Sequence, residues 1–195
     1  IVHPEPHVRE WTWRLWFDHN NRLPQDLVAP FQVALEQESH RDVLCQIACS
    51  AKRIGKADQA LPIVRNLMTR SQFIDDPRFP LLVWWALESK IAPERDAVLA
   101  LFKDEKLWRE PLVEKEILPR LMRRFAATGQ RADLAVCARL LKQSPSKEAT
   151  AALMRGFEEA FQGRSLANVP PELVTALSQA GGGSLVLKVR QGDKA

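Results

Sequence analysis

The stretch Asp75-Asp-Pro-Arg-Phe-Pro-Leu-Leu-Val-Trp-Trp-Ala-Leu-Glu88 is the most apolar and aromatic of the chain and lies near its middle. Asp76 suits a helix N-cap, and Pro77 suits the first helical position, where its missing N–H has no partner to lose. Leu81, Trp84, Trp85 and Glu88 follow at the three-and-four spacing of a helix. Two adjacent Trp leave such a helix apolar on most sides. The expectation is an inner helix of a stack, covered by helices before and after it.

Similar patterns recur on both sides. Before the central stretch, Val8, Trp11 and Leu15 mark a helix over His7–Phe17, and Leu27, Phe31, Ala34 and Leu35 mark a second, with Pro30 predicting a kink or a late start. Val43, Ile47, Ala48 and Ala51 give a third, with Gly55 as its stop. Asp58 caps a fourth carrying Leu61, Val64, Leu67 and Met68, with Pro62 suited only to a first turn. After the central stretch, Pro93 opens a helix with Val98, Leu99 and Phe102. A long helix over Glu110–Thr128 ends at Gly129, a helix over Ala132–Leu141 follows, and Ser146 caps another bearing Leu153, Phe157 and Phe161. A last helix starts at Pro170-Pro171 and runs to about Gln179. Gly181-Gly182-Gly183 is a break, and Leu185 to Val189 alternates too briefly to assign.

Comparable helix starts fall at Val8, Val43, Phe79, Val113 and Ala149, separated by 35, 36, 34 and 36 residues. A period in the mid-thirties with two helices per unit is the signature of a helical repeat array, in which stacking buries what no unit buries alone. The fold class expected is all-α, a HEAT- or armadillo-like right-handed superhelix of about five helical pairs over residues 1–180. Residues 181–195 then form a Gly-rich break and a tail or the start of a next unit. The Trp, Gly, Tyr and Pro pattern of tetratricopeptide repeats is missing, and the chain has no Tyr. A plain irregular bundle is the alternative. The start at Ile1 and the charged end suggest a piece of something longer.

Chemistry-bearing motifs are scarce. The sequence holds no His-Glu-x-x-His, Cys-x-x-Cys, Gly-x-Gly-x-x-Gly or phosphate loop. Cys45, Cys49 and Cys137 read as small buried residues. No apolar run approaches the roughly 18–20 residues of a membrane span. Neither catalytic residue, metal nor cofactor is expected in these residues.

The net charge of +4 is uneven: Arg109 to Lys142 holds eight Lys or Arg against four Asp or Glu, the whole excess. Arg120, Arg123 and Arg124 could face phosphates, but Arg120 and Arg124 equally suit pairing with Glu116 on the same helix face, and that reading is preferred. Of the six Trp, most are expected between repeats with their N–H satisfied. On the first helix Trp13 and Trp16 flank a different face from Trp11, so at least one Trp is expected to be exposed. The candidate interaction surface is Arg9, Trp13, Arg14 and Trp16 with Arg120, Arg123 and Arg124.

Taken together, the segments His7-Val-Arg-Glu-Trp-Thr-Trp-Arg-Leu15, Gln46-Ile-Ala-Cys-Ser-Ala-Lys-Arg53, Ala60-Leu-Pro-Ile-Val-Arg65, Pro80-Leu-Leu-Val-Trp-Trp-Ala-Leu-Glu88, Leu121-Met-Arg-Arg-Phe125 and Leu153-Met-Arg-Gly156 carry a resemblance. The chain resembles the helical-repeat region of the planctomycete-type membrane-bound dehydrogenases. Those are large exported proteins with a propeller of the pyrroloquinoline-quinone class, a HEAT-like middle and a haem c domain. Arg9, Trp11, Arg14, Trp84, Trp85 and Glu88 match the family pattern. The resemblance implies a non-catalytic scaffold within an exported, periplasmic or membrane-associated parent, with the other domains of the same chain, or protein partners, as its contacts. Haem c and pyrroloquinoline quinone would belong to the parent's other domains. No membrane contact is implied for this segment. A nucleic-acid-binding protein of the HEAT-repeat alkylpurine DNA glycosylase type is the alternative, motivated by the basic stretch and the Trp residues; the modest net charge argues against it.

Overall fold

A computed structural model describes residues 2–162 and 169–181 of the chain. The described residues are all-α, with no strand. The helices are α1 (Pro6–His19), α2 (Gln25–Gln37), α3 (Arg41–Arg53), α4 (Ala57–Met68), α5 (Phe79–Leu101), the short α6 (Glu105–Trp108), α7 (Leu118–Thr128), α8 (Arg131–Gln143), α9 (Lys147–Phe161) and α10 (Pro171–Gln179). The alternating pattern of residues 185–189 lies outside the described residues. The chain divides into two compact units, Ile1–Val113 and a second that begins at Glu114.

Within the first unit α1 packs on α3, α3 on α5 and α2 on α4, each two places along, while α4 also packs on its neighbours α5 and α3. The apolar stripes explain why. Val43, Ile47, Ala48 and Ala51 of α3 are all buried, as are Leu61, Val64, Leu67 and Met68 of α4. At 25 cal/mol per Å² of apolar surface, each fully buried Leu, Val or Phe stabilises by roughly 2 kcal/mol relative to exposure.

The central stretch departs from expectation in its boundary. α5 begins at Phe79 rather than near Pro77, and Pro80 takes the first-turn position. Asp76 nevertheless serves that start, its Oδ1 accepting from the backbone N–H of Phe79 at 2.8 Å and of Arg78 at 2.9 Å. Trp84 is buried, whereas Trp85 is 41 % exposed, so α5 is not covered on all sides. At Glu94, one residue after Pro93, φ of −141° and ψ of 46° are not helical, so α5 is two helical limbs joined at a kink, in keeping with the expectation that Pro93 opens a new helix. The limb beyond the bend buries Val98 and Leu99.

Pro30 and Pro62 lie inside α2 and α4, each the sixth residue of its helix, so each helix runs on with one backbone bond missing. Gly55 is not a left-handed stop; its N–H donates to the Asn21 carbonyl at 2.8 Å. Trp108 is fully buried, donating its indole N–H to the Phe102 carbonyl at 2.8 Å.

In the second unit α7 packs on α9 and α8 on α10. The expected long helix over 110–128 is broken in character: Val113–Ile117 is a wider π-type turn. Pro119 has no N–H to donate to the Lys115 carbonyl, so an α-type bond cannot form there. Gly129 closes α7 with φ 66°, the left-handed conformation that glycine adopts without steric cost. Ser146 caps α9, its Oγ accepting from Ala149 N–H at 3.1 Å. Met122, Phe125, Leu153, Phe157 and Phe161 form the core of this unit.

Candidate functional site

The residues of the sequence-predicted surface have different environments. On α1, Trp13 is a core residue, 4 % exposed, with its ring 4.2 Å from Phe31 and stacked towards Phe17. It is therefore no part of an interaction surface. Phe31 and Phe17 make one aromatic cluster, and Trp13 completes it.

Arg9 is a clamp. Its Nε and Nη2 donate to the two Glu38 carboxylate oxygens at 2.7 and 2.9 Å, and its Nη1 donates to the His3 and Pro4 carbonyls at 2.6 and 3.0 Å. Glu38 also accepts from the backbone N–H of Ser39 at 3.0 Å and of His40 at 2.9 Å. Burial pushes the Glu38 carboxyl up, but the Arg9 guanidinium and the two backbone donors outweigh it and hold it below the ordinary range. Sequence reasoning passed over Glu38, which lies in the connection to α3 beyond any apolar stripe. An acid two residues before the N-cap His40 was the available signal.

Arg14 is exposed and lies over the Trp11 ring, 4.9 Å from its centre. Trp16 is 37 % exposed, its indole N–H donating to the Arg22 carbonyl at 3.4 Å. On α5, Trp85 has Lys52 over its ring at 5.5 Å. Val8, Trp11 and Leu15, the stripe expected to face the core, are 43, 52 and 55 % exposed. The buried side of α1 is instead the Trp13–Phe17 side.

The basic cluster of the second unit is engaged. Arg120 pairs with Glu116 one turn earlier, also donating to its carbonyl at 2.8 Å, as preferred from the spacing. Arg123 reaches Glu159 at 3.4 Å, and Arg124 is not free either.

Lys90 is a second residue that sequence reasoning missed. It is 3 % exposed and donates its ammonium to the Lys52 carbonyl at 3.0 Å and to the Ile54 carbonyl. Burial lowers its pKa. It closes the C-terminal end of α3, where carbonyls lack helical partners and the helix dipole favours a cation. The spacing Val83, Leu87, Lys90 places it on the buried stripe, which was the signal.

Clefts of about 250, 530 and 750 Å³ open beside Arg9 and Glu38, beside Trp16 and Lys56, and between Ser146 and Gln179. Burial holds the Cys45 thiol up at about 11 and Cys137 at about 12, so neither is a ready nucleophile. Among the described residues no group of three or more His, Cys, Asp or Glu is placed to hold a metal ion, and no helix is long and apolar enough to cross a membrane.

Geometry thus defines an all-α protein whose long-range polar contacts join neighbouring helices. No protein-family model, curated protein or solved structure matches the chain.

Proposed function

We propose that the chain is an α-solenoid of the HEAT type that acts as a non-catalytic scaffold. One observation carries this reading: most polar contacts between helices span 34 to 41 residues, and separations of 35 and 36 recur among them. Asp18 meets Arg53 at 35 residues, Leu23 meets Gln59 at 36, Leu35 meets Arg70 at 35, Asp42 meets Arg78 at 36 and Ile54 meets Lys90 at 36. In the second unit Arg123 meets Glu159, again at 36. That separation is the apolar period of the sequence, and packing between helices two places apart is what a stacked array requires.

The parent we propose is a large exported redox protein, with propeller and haem c domains that this segment spaces or docks. This part rests on the family resemblance. Pyrroloquinoline quinone and haem c would belong to those domains, and no residue of this chain is assigned to holding either.

Reading the parent gene on both sides of Ile1 and Ala195 tests the proposal. A propeller-like region upstream and Cys-x-x-Cys-His downstream are expected. A reading frame that begins and ends near these residues removes the redox parent. Sedimentation of this chain with the purified flanking domains then separates docking, which gives a complex, from spacing, which gives none.

A further inference from the structure

On α1, the buried side carries Trp13 and Phe17. At about 100° per residue, Trp11 stands roughly 160° round from Trp13, on the far side of the helix. Val8 and Leu15 lie within about 60° of Trp11 on one flank, and Arg14 and Glu10 within about 100° of it on the other. All three apolar side chains are more than two-fifths exposed. α1 is therefore apolar on two opposite faces, a pattern that belongs to a helix covered on both sides. Arg14 rests on the Trp11 ring and has no carboxylate partner among the described residues. Glu10, one turn earlier, is a third exposed and lies 3.6 Å from His7 Nδ1, with no Lys or Arg ion pair among the described residues.

From this we infer that the outer face of α1 binds the same face of a second copy of the chain, as an antiparallel α1–α1 pair about a twofold axis level with Thr12. The face is self-complementary in that arrangement and in charge. A twofold perpendicular to the two helix axes brings like flank to like flank. On the apolar flank, Leu15 stands level with Val8 of the second copy to within about one residue rise, and the reverse contact forms too. At the centre the two Trp11 rings are offset by about 3 Å along the axis. On the charged flank, Arg14 stands level with Glu10 of the second copy, twice over. The unpaired cation thereby gains a carboxylate, and the exposed ridge is covered. The joint is one helix long, about 21 Å, so a reversible dimer in a concentration-dependent equilibrium is the form expected.

Sedimentation equilibrium of the chain across a concentration series tests this. A monomer–dimer equilibrium is expected, weakened tenfold or more in Trp11→Glu and in Leu15→Glu, with far-UV circular dichroism unchanged because both side chains point away from the core. Glu10→Arg and Arg14→Glu should each weaken self-association through like charges. Mixed one to one they should form a heterodimer tighter than either homodimer, because each Arg of one chain then faces a Glu of the other. A chain that stays monomeric to millimolar concentration overturns the inference. So does a dimer indifferent to Trp11→Glu, or a mixture with no gain over its components. These outcomes leave the scaffold reading untouched, since that stands on the internal contact spacing and the parent gene.

Discussion

The two units solve one problem by different means. Each must hold together helices two places apart in the chain. In the first unit the joints are made by side chains that cap or pair: Arg9 with Glu38, Gln59 with both backbone groups of Leu23, Arg70 with the Leu35 carbonyl, and Lys90 with the end of α3. In the second, the α7–α9 joint is made by shape. A Cβ placed at Gly156 would overlap the Pro119 carbonyl, 2.7 Å from its carbon and 2.9 Å from the Pro119 Cα. Polar joints can be loosened one bond at a time; a backbone-to-backbone contact has no side chain to give way.

The sharpest way to break that comparison is Gly156→Ala. One methyl group forces α7 and α9 apart, and the loss should exceed about 3 kcal/mol, at the upper end for overpacking. Hydrogen exchange is the measurement, because it reads the units separately. Amides of α7 and α9 should lose protection while those of α3 and α4 keep theirs. Equal loss in both would show that the joints are not independent.

Glu38→Ala should come next, at about 3 kcal/mol, since it leaves the Arg9 guanidinium and two backbone donors without their acceptor. The depressed Glu38 carboxyl gives this a pH signature. The folded state binds its proton less readily than the unfolded state does. Its stabilisation is therefore fully present above the ordinary value of 4.5 and lost as pH falls through the lower folded value. Wild type and Glu38→Ala should converge in denaturant melts taken to acid. A constant gap down to pH 2–3 (about the depth such shifts reach) would remove the ion pair as its source.

Lys90→Met should cost less, within about 1 kcal/mol near neutral pH. The thioether keeps the packing of the stem, and losing two carbonyl partners is offset by no longer burying a charge. Here the pH dependence has the opposite origin. Burial makes the folded state release the Lys90 proton more easily than the unfolded state. Stability tied to this group therefore rises with pH between the lowered folded value and the ordinary 10.5. Alkaline melts should show wild type gaining on Lys90→Met across that window. A gap that does not grow there would mean the ammonium is not desolvated as placed.

Much of this fold was legible. Stripes at three and four picked out buried residues on α3, α4, α7 and α9 because a helix packed on one side shows one apolar face. The same rule misread α1. Val8, Trp11 and Leu15 make as good a stripe as Trp13 and Phe17, and spacing alone cannot rank two faces of one helix. What ranks them is Phe31, which meets Trp13 and lies 18 residues further on. Trp13 of the candidate surface is buried for that reason, whereas Arg14 is exposed and has no carboxylate partner among the described residues. Arg9 and Lys90 show another limit. Lys90 is satisfied by backbone carbonyls, and Arg9 by a carboxylate 29 residues away together with two carbonyls; neither kind of partner is marked by helical spacing.

The smallest effect sharpens the comparison from the other side. Arg123 and Glu159 form the second unit's cross-helix ion pair at the same separation of 36 residues as the joints of the first. Their side chains are 62 and 56 % exposed and 3.4 Å apart. Water screens such a pair, and ordering two long side chains offsets much of what remains. Arg123→Ala should therefore shift stability by no more than about 0.5 kcal/mol. Arg70→Ala, in the first unit, should cost more, because its guanidinium holds the buried end of α2 through the Leu35 carbonyl at 2.7 Å. A hydrogen-exchange comparison of the two variants decides the point. If Arg123→Ala loosens α9 as much as Arg70→Ala loosens α2, polar contacts matter equally in both units, and Gly156 is not the element that sets the second unit apart.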